Sequence, residues 1–267
     1  MLIRRIVTAV LLVIPIIGVL VLAPGPWVAG VAFALYFMAA WEWSGFLQRR
    51  NAVRRALLVL CYAGLMISTL WLLEHAQLMR WLFFAVLVWW VIALVWITRY
   101  PTIVPDGLVG LCGVLVLIPP VAVIMFSRVQ QPSELLIFVF IIVWAADIGA
   151  YFVGRSLGRH KLAPKVSPGK TWEGFFGGMA AAVLAAVGFG LVTGSPALVP
   201  LVLMGLLGAA GSVVGDLTVS LFKRHAGVKD SGFIFPGHGG VLDRFDSFSA
   251  AAPVVFGLNF SLGYLLV

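Results

Sequence analysis

Long apolar runs recur along the chain at about 6–23, 27–46, 56–73, 81–98, 107–127, 134–153, 174–193, 198–222 and 247–266, each bounded by a short polar segment. About 20 apolar residues wound as a helix cross roughly 30 Å of hydrocarbon, whereas a barrel strand alternates apolar and polar positions and is half as long. Backbone polar groups in lipid must pair within their own segment. Nine continuous runs therefore predict nine helices and an all-α, polytopic integral membrane protein. The first run follows Arg4 and Arg5, and Leu20-Val21-Leu22-Ala23-Pro24-Gly25 lacks the small-residue cleavage pattern of a signal peptide, so the run reads as a retained helix.

Composition agrees: 62% of residues are hydrophobic, 10% are charged, and the mean hydropathy is +1.10. A net charge of +8 would suggest nucleic acid in a soluble chain. Here its placement explains it. With the N-terminus cytoplasmic, Arg80 and Arg128 alone of the 18 Lys and Arg fall on the outer side, which is the positive-inside bias of a membrane protein. Attraction to anionic headgroups accounts for the excess, and no nucleic-acid partner is expected. Cys61 and Cys112 sit in separate runs without metal or redox spacing and read as packing residues.

The outer connectors are too short to hold a domain, so chemistry is expected on the cytoplasmic face. Residues 1–133 supply about five helices with Arg-rich connectors. Residues 134–267 carry the two long inner loops, 154–173 and 223–246, and read as the catalytic region. The stretch Ser220–Asp246 packs four Lys/Arg, three acids, two His and five Gly into 27 residues of an otherwise apolar chain.

Acids inside a membrane are costly and usually functional. Asp147 and Asp216 each lie roughly 10 Å below the same inner surface at 1.5 Å per residue, so the two are expected to meet. Either they pair with cations to lock helices, or they serve a site. Ser212, Asp216, Ser220 and Lys223 follow one helix face toward the basic loop, which favours a polar cavity for Asp216. Glu42, between Trp41 and Trp43, lacks such company and reads as a packing or interfacial residue. Asp243 and Asp246, at i and i+3, share a side of a helix and suit Mg²⁺, which takes a few carboxylates and leaves its other positions to water and phosphate. Helix N-termini also attract acids for dipole reasons alone. Arg244 between them fits a nearby phosphate or aspartate.

Pro236-Gly237-His238-Gly239-Gly240 is backbone able to turn amides toward a phosphate, or simply a turn. His238 reads equally as a phosphate donor or a loop histidine. Lys223, Arg224 and Lys229 suit a triphosphate, though a positive-inside flank explains one or two of them. In the other loop, Ser167-Pro168-Gly169-Lys170-Thr171-Trp172-Glu173-Gly174 is not a Walker loop, since Pro164 stands where the first glycine belongs and a membrane run precedes it. What remains is Lys170 beside the Thr171 hydroxyl, suited to a nucleotide phosphate.

The pattern Ser220-x-Phe222-Lys223-Arg224-x4-Lys229-Asp230-x-Gly232-x2-Phe235-Pro236-x-His238-Gly239-Gly240-x2-Asp243-Arg244-x-Asp246 resembles the signature of the phosphatidate cytidylyltransferases, also called CDP-diacylglycerol synthases. The SPGKTWEG segment resembles a second motif of that family. The resemblance implies CMP transfer from CTP to phosphatidic acid, with Mg²⁺ and room for a second cation. It implies metal on Asp216, Asp243 and Asp246, and phosphate neutralisation by Lys170, Lys223, Arg224, Lys229 and Arg244. Ser220 is then a metal or phosphate ligand, and Asp147, Thr171, Asp230, His238, Gly239 and Gly240 line the substrates. A bacterial inner membrane with a cytoplasmic active site follows, and oligomeric state stays open, a homodimer included. Two rivals remain: a CTP-dependent lipid or polyprenol kinase, and an ion-coupled transporter of an anionic solute. The DGxxAR start of the CDP-alcohol phosphotransferases is absent.

Overall fold

The computed structural model describes residues 18–19, 23–47, 51–72, 75–129, 134–233 and 239–262. Among them lie eight long helices: α1 (Gly25–Ser44), α2 (Ala52–Leu72), α3 (Ala76–Arg99), α4 (Asp106–Val129), α5 (Glu134–Leu157), α6 (Trp172–Thr193), α7 (Leu198–His225) and α8 (Leu242–Leu262). They match the second to ninth apolar runs. The first run lies almost wholly outside the described residues. Local chemistry sets the boundaries: Pro24 and Pro26 open α1, while Gly194, at φ 65°, closes α6 by donating its N–H to the Gly190 carbonyl.

Six of these helices, α2 to α7, are long and apolar enough to cross a membrane. α1 and α8 are not, so the described helices do not reach the nine crossings expected. For α8 the packing gives the reason. It touches α1, α3, α4, α5 and α7, with Ala250, Ala251, Ala252 and Val255 fully buried. Protein replaces lipid around it, which lets it carry Ser247, Ser249 and Asn259 in the interior. Through α8 the two sequence regions pack into one bundle.

Glycines set the close pairings. A Cβ at Gly149 of α5 would stand 2.6 Å from Ala181 of α6, and one at Gly178 would stand 2.7 Å from the Ala146 carbonyl. Small residues at such crossings let membrane helices approach backbone to backbone. Gly215 does the same for α7 and α8, since a side chain there would strike the Asp246 carbonyl.

One departure from pure helix matters for function. The 154–173 loop folds as an antiparallel hairpin, β1 (Lys161–Ala163) and β2 (Ser167–Thr171), pairing Lys161 with Thr171 and Ala163 with Ser167. Strands of three and five residues are too short to show a period of two, which is why the pattern read as loop. Ala163 and Val166 bury the hairpin's underside. Glu173 holds its root, accepting from the Arg159 N–H (3.1 Å) and the His160 N–H (3.2 Å) and pairing with His160 Nδ1 at 2.6 Å.

Candidate active site

The charged end of α7 is where the predicted residues gather. Ser220 donates its hydroxyl to Asp216 Oδ1 (3.2 Å), as the i, i+4 spacing allows, and Lys170 from β2 sets its ammonium 2.7 Å from Asp216 Oδ2. The two loops that looked separate in sequence therefore meet. Arg224 extends the same junction, donating to the Val166 carbonyl (3.3 Å) and the Val228 carbonyl (3.5 Å). It fastens the hairpin to the end of α7. Ser212 does not join that polar face: it is buried and donates back to the Ala209 carbonyl (2.8 Å).

A second node forms at the start of α8. Lys223 Nζ lies 2.7 Å from Asp243 Oδ1, both side chains nearly buried. Asp243 Oδ2 accepts from the N–H groups of Ser231 and Gly240, each at 2.9 Å. Burial pushes the Asp243 carboxyl up, but Lys223 and these two amides outweigh it and hold the group below the usual carboxylate range. Gly239 takes φ 79°, and a Cβ there would stand 2.5 Å from Asp243 Oδ2, so glycine is what this turn admits. The Gly240 amide, expected to face a phosphate, instead faces Asp243, a backward cap of the kind carboxylates make at helix starts.

Glu42 was the residue that sequence reasoning undervalued. It is 5% exposed at the end of α1, and its carboxylate accepts from Ser231 Oγ (2.9 Å), Val241 N (3.0 Å) and Leu242 N (2.8 Å). An acid within an apolar helix was the available signal. Its partners lie far along the chain, so nothing in the local pattern named them.

Beside the first node a cavity of about 410 Å³ runs between α5, the hairpin and α6. Asp147, Arg155, Lys170 and Thr171 give it polar lining, and Ala146, Gly178 and Met179 apolar lining. Asp147 stands within electrostatic reach of Lys170 and Asp216, as their common depth suggested. Thr171 lines the cavity, but its hydroxyl oxygen caps α6 by accepting from Gly174 N (3.2 Å). Lys229 and Asp230 are exposed and stand outside both nodes, Asp230 on a separate cavity of about 340 Å³ with Trp41, Arg55 and Phe233. Arg244 is exposed on the first turn of α8, and His238 lies outside the described residues.

The three acids expected to share a metal divide into a pair and a single. Asp246, brought to α7 by Gly215, is within electrostatic reach of Asp216, Lys223 and Lys170. Asp243 is spent on Lys223 and two amides. Among the described residues no three of His, Cys, Asp and Glu form a metal-binding group. The Asp216 and Asp246 carboxylates, on neighbouring helices and within electrostatic reach of each other, are the pair that would hold a divalent cation taking its remaining oxygens from phosphates.

The sequence profile described as the cytidylyltransferase family matches residues 3–262. The chain is similar to the phosphatidate cytidylyltransferase of Pseudomonas aeruginosa, 39% identical over 99% of each chain. It is also similar to that of Haemophilus influenzae, 37% identical over 95% of this chain and 96% of the relative. With the Bacillus subtilis phosphatidate cytidylyltransferase it shares 48% identity over 48% of each chain. A match across nearly the whole length, with the charged loops of both motifs meeting at one end of the bundle, leads to a plain conclusion: the chain belongs to the cytidylyltransferase family.

Proposed function

We propose that the protein transfers CMP from CTP to phosphatidic acid, leaving CDP-diacylglycerol in the membrane and releasing pyrophosphate. The observation that carries this reading is the Lys170–Asp216 contact beside a cavity lined by both charged and apolar groups. A site so lined suits one water-soluble polyanion and one phosphate anchored in lipid. The names of the full-length relatives point the same way.

The lipid phosphate oxygen attacks the α-phosphorus of CTP. One P–O bond forms there as the bond to the β-phosphate bridging oxygen breaks, and the electron pair leaves with pyrophosphate. No general base is needed, because the attacking phosphate is already anionic. Lys170, a quarter exposed, is placed to exchange Asp216 for a triphosphate oxygen, and Arg155 adds positive charge to the cavity lining. Ser220 orients the Asp216 carboxylate, which makes it a ligand-positioning hydroxyl and not a nucleophile. Lys223 and Asp243 hold the start of α8, and with it Asp246, against α7. Mg²⁺ held by Asp216 and Asp246 would offset the charge that accumulates on the departing pyrophosphate.

A transporter would place its polar groups near the bilayer midplane. Here they crowd one end of α5 to α8, and the Lys and Arg bias supports that end facing the cytoplasm. Purified protein in detergent, given radiolabelled CTP, phosphatidic acid and Mg²⁺, should move label into the lipid extract only when all three are present. Label entering lipid without phosphatidic acid, or none entering at all, would contradict the reading.

A further inference from the structure

We infer that Glu42 is a positioning residue for CMP transfer, through which the N-terminal helices hold the charged loop of the C-terminal half in register. The inference rests on the reaction proposed above and concerns a residue outside both motifs.

The carboxylate is an acceptor only, and it meets three donors: Ser231 Oγ and Leu242 N on Oε2, and Val241 N on Oε1. These donors come from within the charged loop, at Ser231, and from the start of α8, so one side chain holds both. Ser231 carries the effect onward. Its hydroxyl donates to Glu42 while its own N–H donates to Asp243 Oδ2 (2.9 Å), and Asp243 in turn holds Lys223 (2.7 Å). The loop is shaped around the carboxylate as well: a Cβ at Gly232 or Gly240 would overlap it. Buried helix starts need acceptors for their first N–H groups, and here α1 supplies the one that α8 lacks. Trp43, the next residue, anchors that end of α1 by donating to the Val109 carbonyl (2.9 Å) and packing on Phe222 of α7. Glu42 is thus held from α4 and α7 and holds α8.

Glutamine keeps the shape but offers one acceptor oxygen and an NH₂ that confronts an N–H donor. The full-length protein in detergent should be compared as wild type, Glu42→Gln, Ser231→Ala and the double variant, with rates taken on the monodisperse fraction. Hydrogen exchange is followed in peptides covering 231 and 240–243. Glu42→Gln should lower kcat by about tenfold or more, the scale of a misplaced catalytic group. Its KM for phosphatidic acid should stay within about twofold, because a shift in the charged loop leaves the α5–α6 cavity in place. Ser231→Ala should lower kcat less, and adding it to Glu42→Gln should cost nothing more, since both cut one chain of contacts. Exchange should quicken at 231, 241 and 242. Wild-type kcat in Glu42→Gln, or losses that multiply as for independent sites, would overturn the inference. If wild type itself moves no CMP into lipid, the proposed reaction fails. The exchange data then decide Glu42 alone: unchanged protection in Glu42→Gln refutes its hold on the loop, and quickened exchange supports it.

Discussion

The Lys170 ammonium lies 2.7 Å from Asp216 Oδ2, joining the hairpin between α5 and α6 to the C-terminal half of α7. Both side chains are about a quarter exposed (26% and 28%), so water screens the pair and it adds little to stability. In the proposed reaction an arriving triphosphate would take the ammonium from Asp216 and leave the carboxylate for a cation.

Lys170→Ala should therefore raise the CTP requirement, lower the rate, or both, with a combined loss in kcat/KM matching a charge-assisted contact of about 1.5–3 kcal/mol. Steady-state kinetics with each substrate varied in turn checks this. Wild-type CTP kinetics together with a defect confined to phosphatidic acid would assign the hairpin to the lipid instead.

Asp216→Asn and Asp246→Asn each remove half of the Asp216–Asp246 carboxylate pair. Each should cut turnover by more than about 10²-fold, the weight of a charge-stabilising group, and raise the Mg²⁺ needed for half activity. Titrating Mg²⁺ against activity reads both effects. Near-normal turnover of both variants at saturating Mg²⁺ would remove the metal from this pair.

The Lys223–Asp243 pair behaves differently, because its side chains are only 11% and 9% exposed. Lys223→Ala strands a buried carboxylate and should cost about 3–5 kcal/mol of stability, seen as a lowered thermal midpoint in detergent. The double variant Lys223→Met/Asp243→Leu should recover part of that midpoint without recovering turnover. Recovery of both would reduce the pair to a structural contact.

How far the sequence could be read depended on whether a feature was local. The eight described helices follow from continuous apolar runs, and the nearness of Asp147 and Asp216 followed from their common depth. The hairpin escaped because its strands are shorter than any detectable period. Asp243 looked like a metal ligand from its spacing to Asp246, yet its neighbours in space are Lys223, Ser231 N and Gly240 N, contacts set by how the loop folds back. Glu42 shows the limit most sharply. Its place in an apolar run marked it as unusual, while the three donors that explain it lie in the opposite half of the chain.

Orientation can be read with single cysteines in a background lacking Cys61 and Cys112. From the Lys and Arg bias, Lys165→Cys at the hairpin turn should react with an impermeant maleimide only from the cytoplasmic side, and Pro196→Cys between α6 and α7 only from the other. Labelling of both from one side would contradict the topology.

Positional labelling of CTP tests the central claim most directly. Purified protein with Mg²⁺ and phosphatidic acid should carry an α-phosphate label into the organic phase as a CMP-bearing lipid, one pyrophosphate being released for each. A γ-phosphate label should stay entirely in water. Transfer of the γ label into lipid with CDP as the coproduct would mean phosphoryl transfer, and the account given for Lys170, Asp216 and Asp246 would then be wrong.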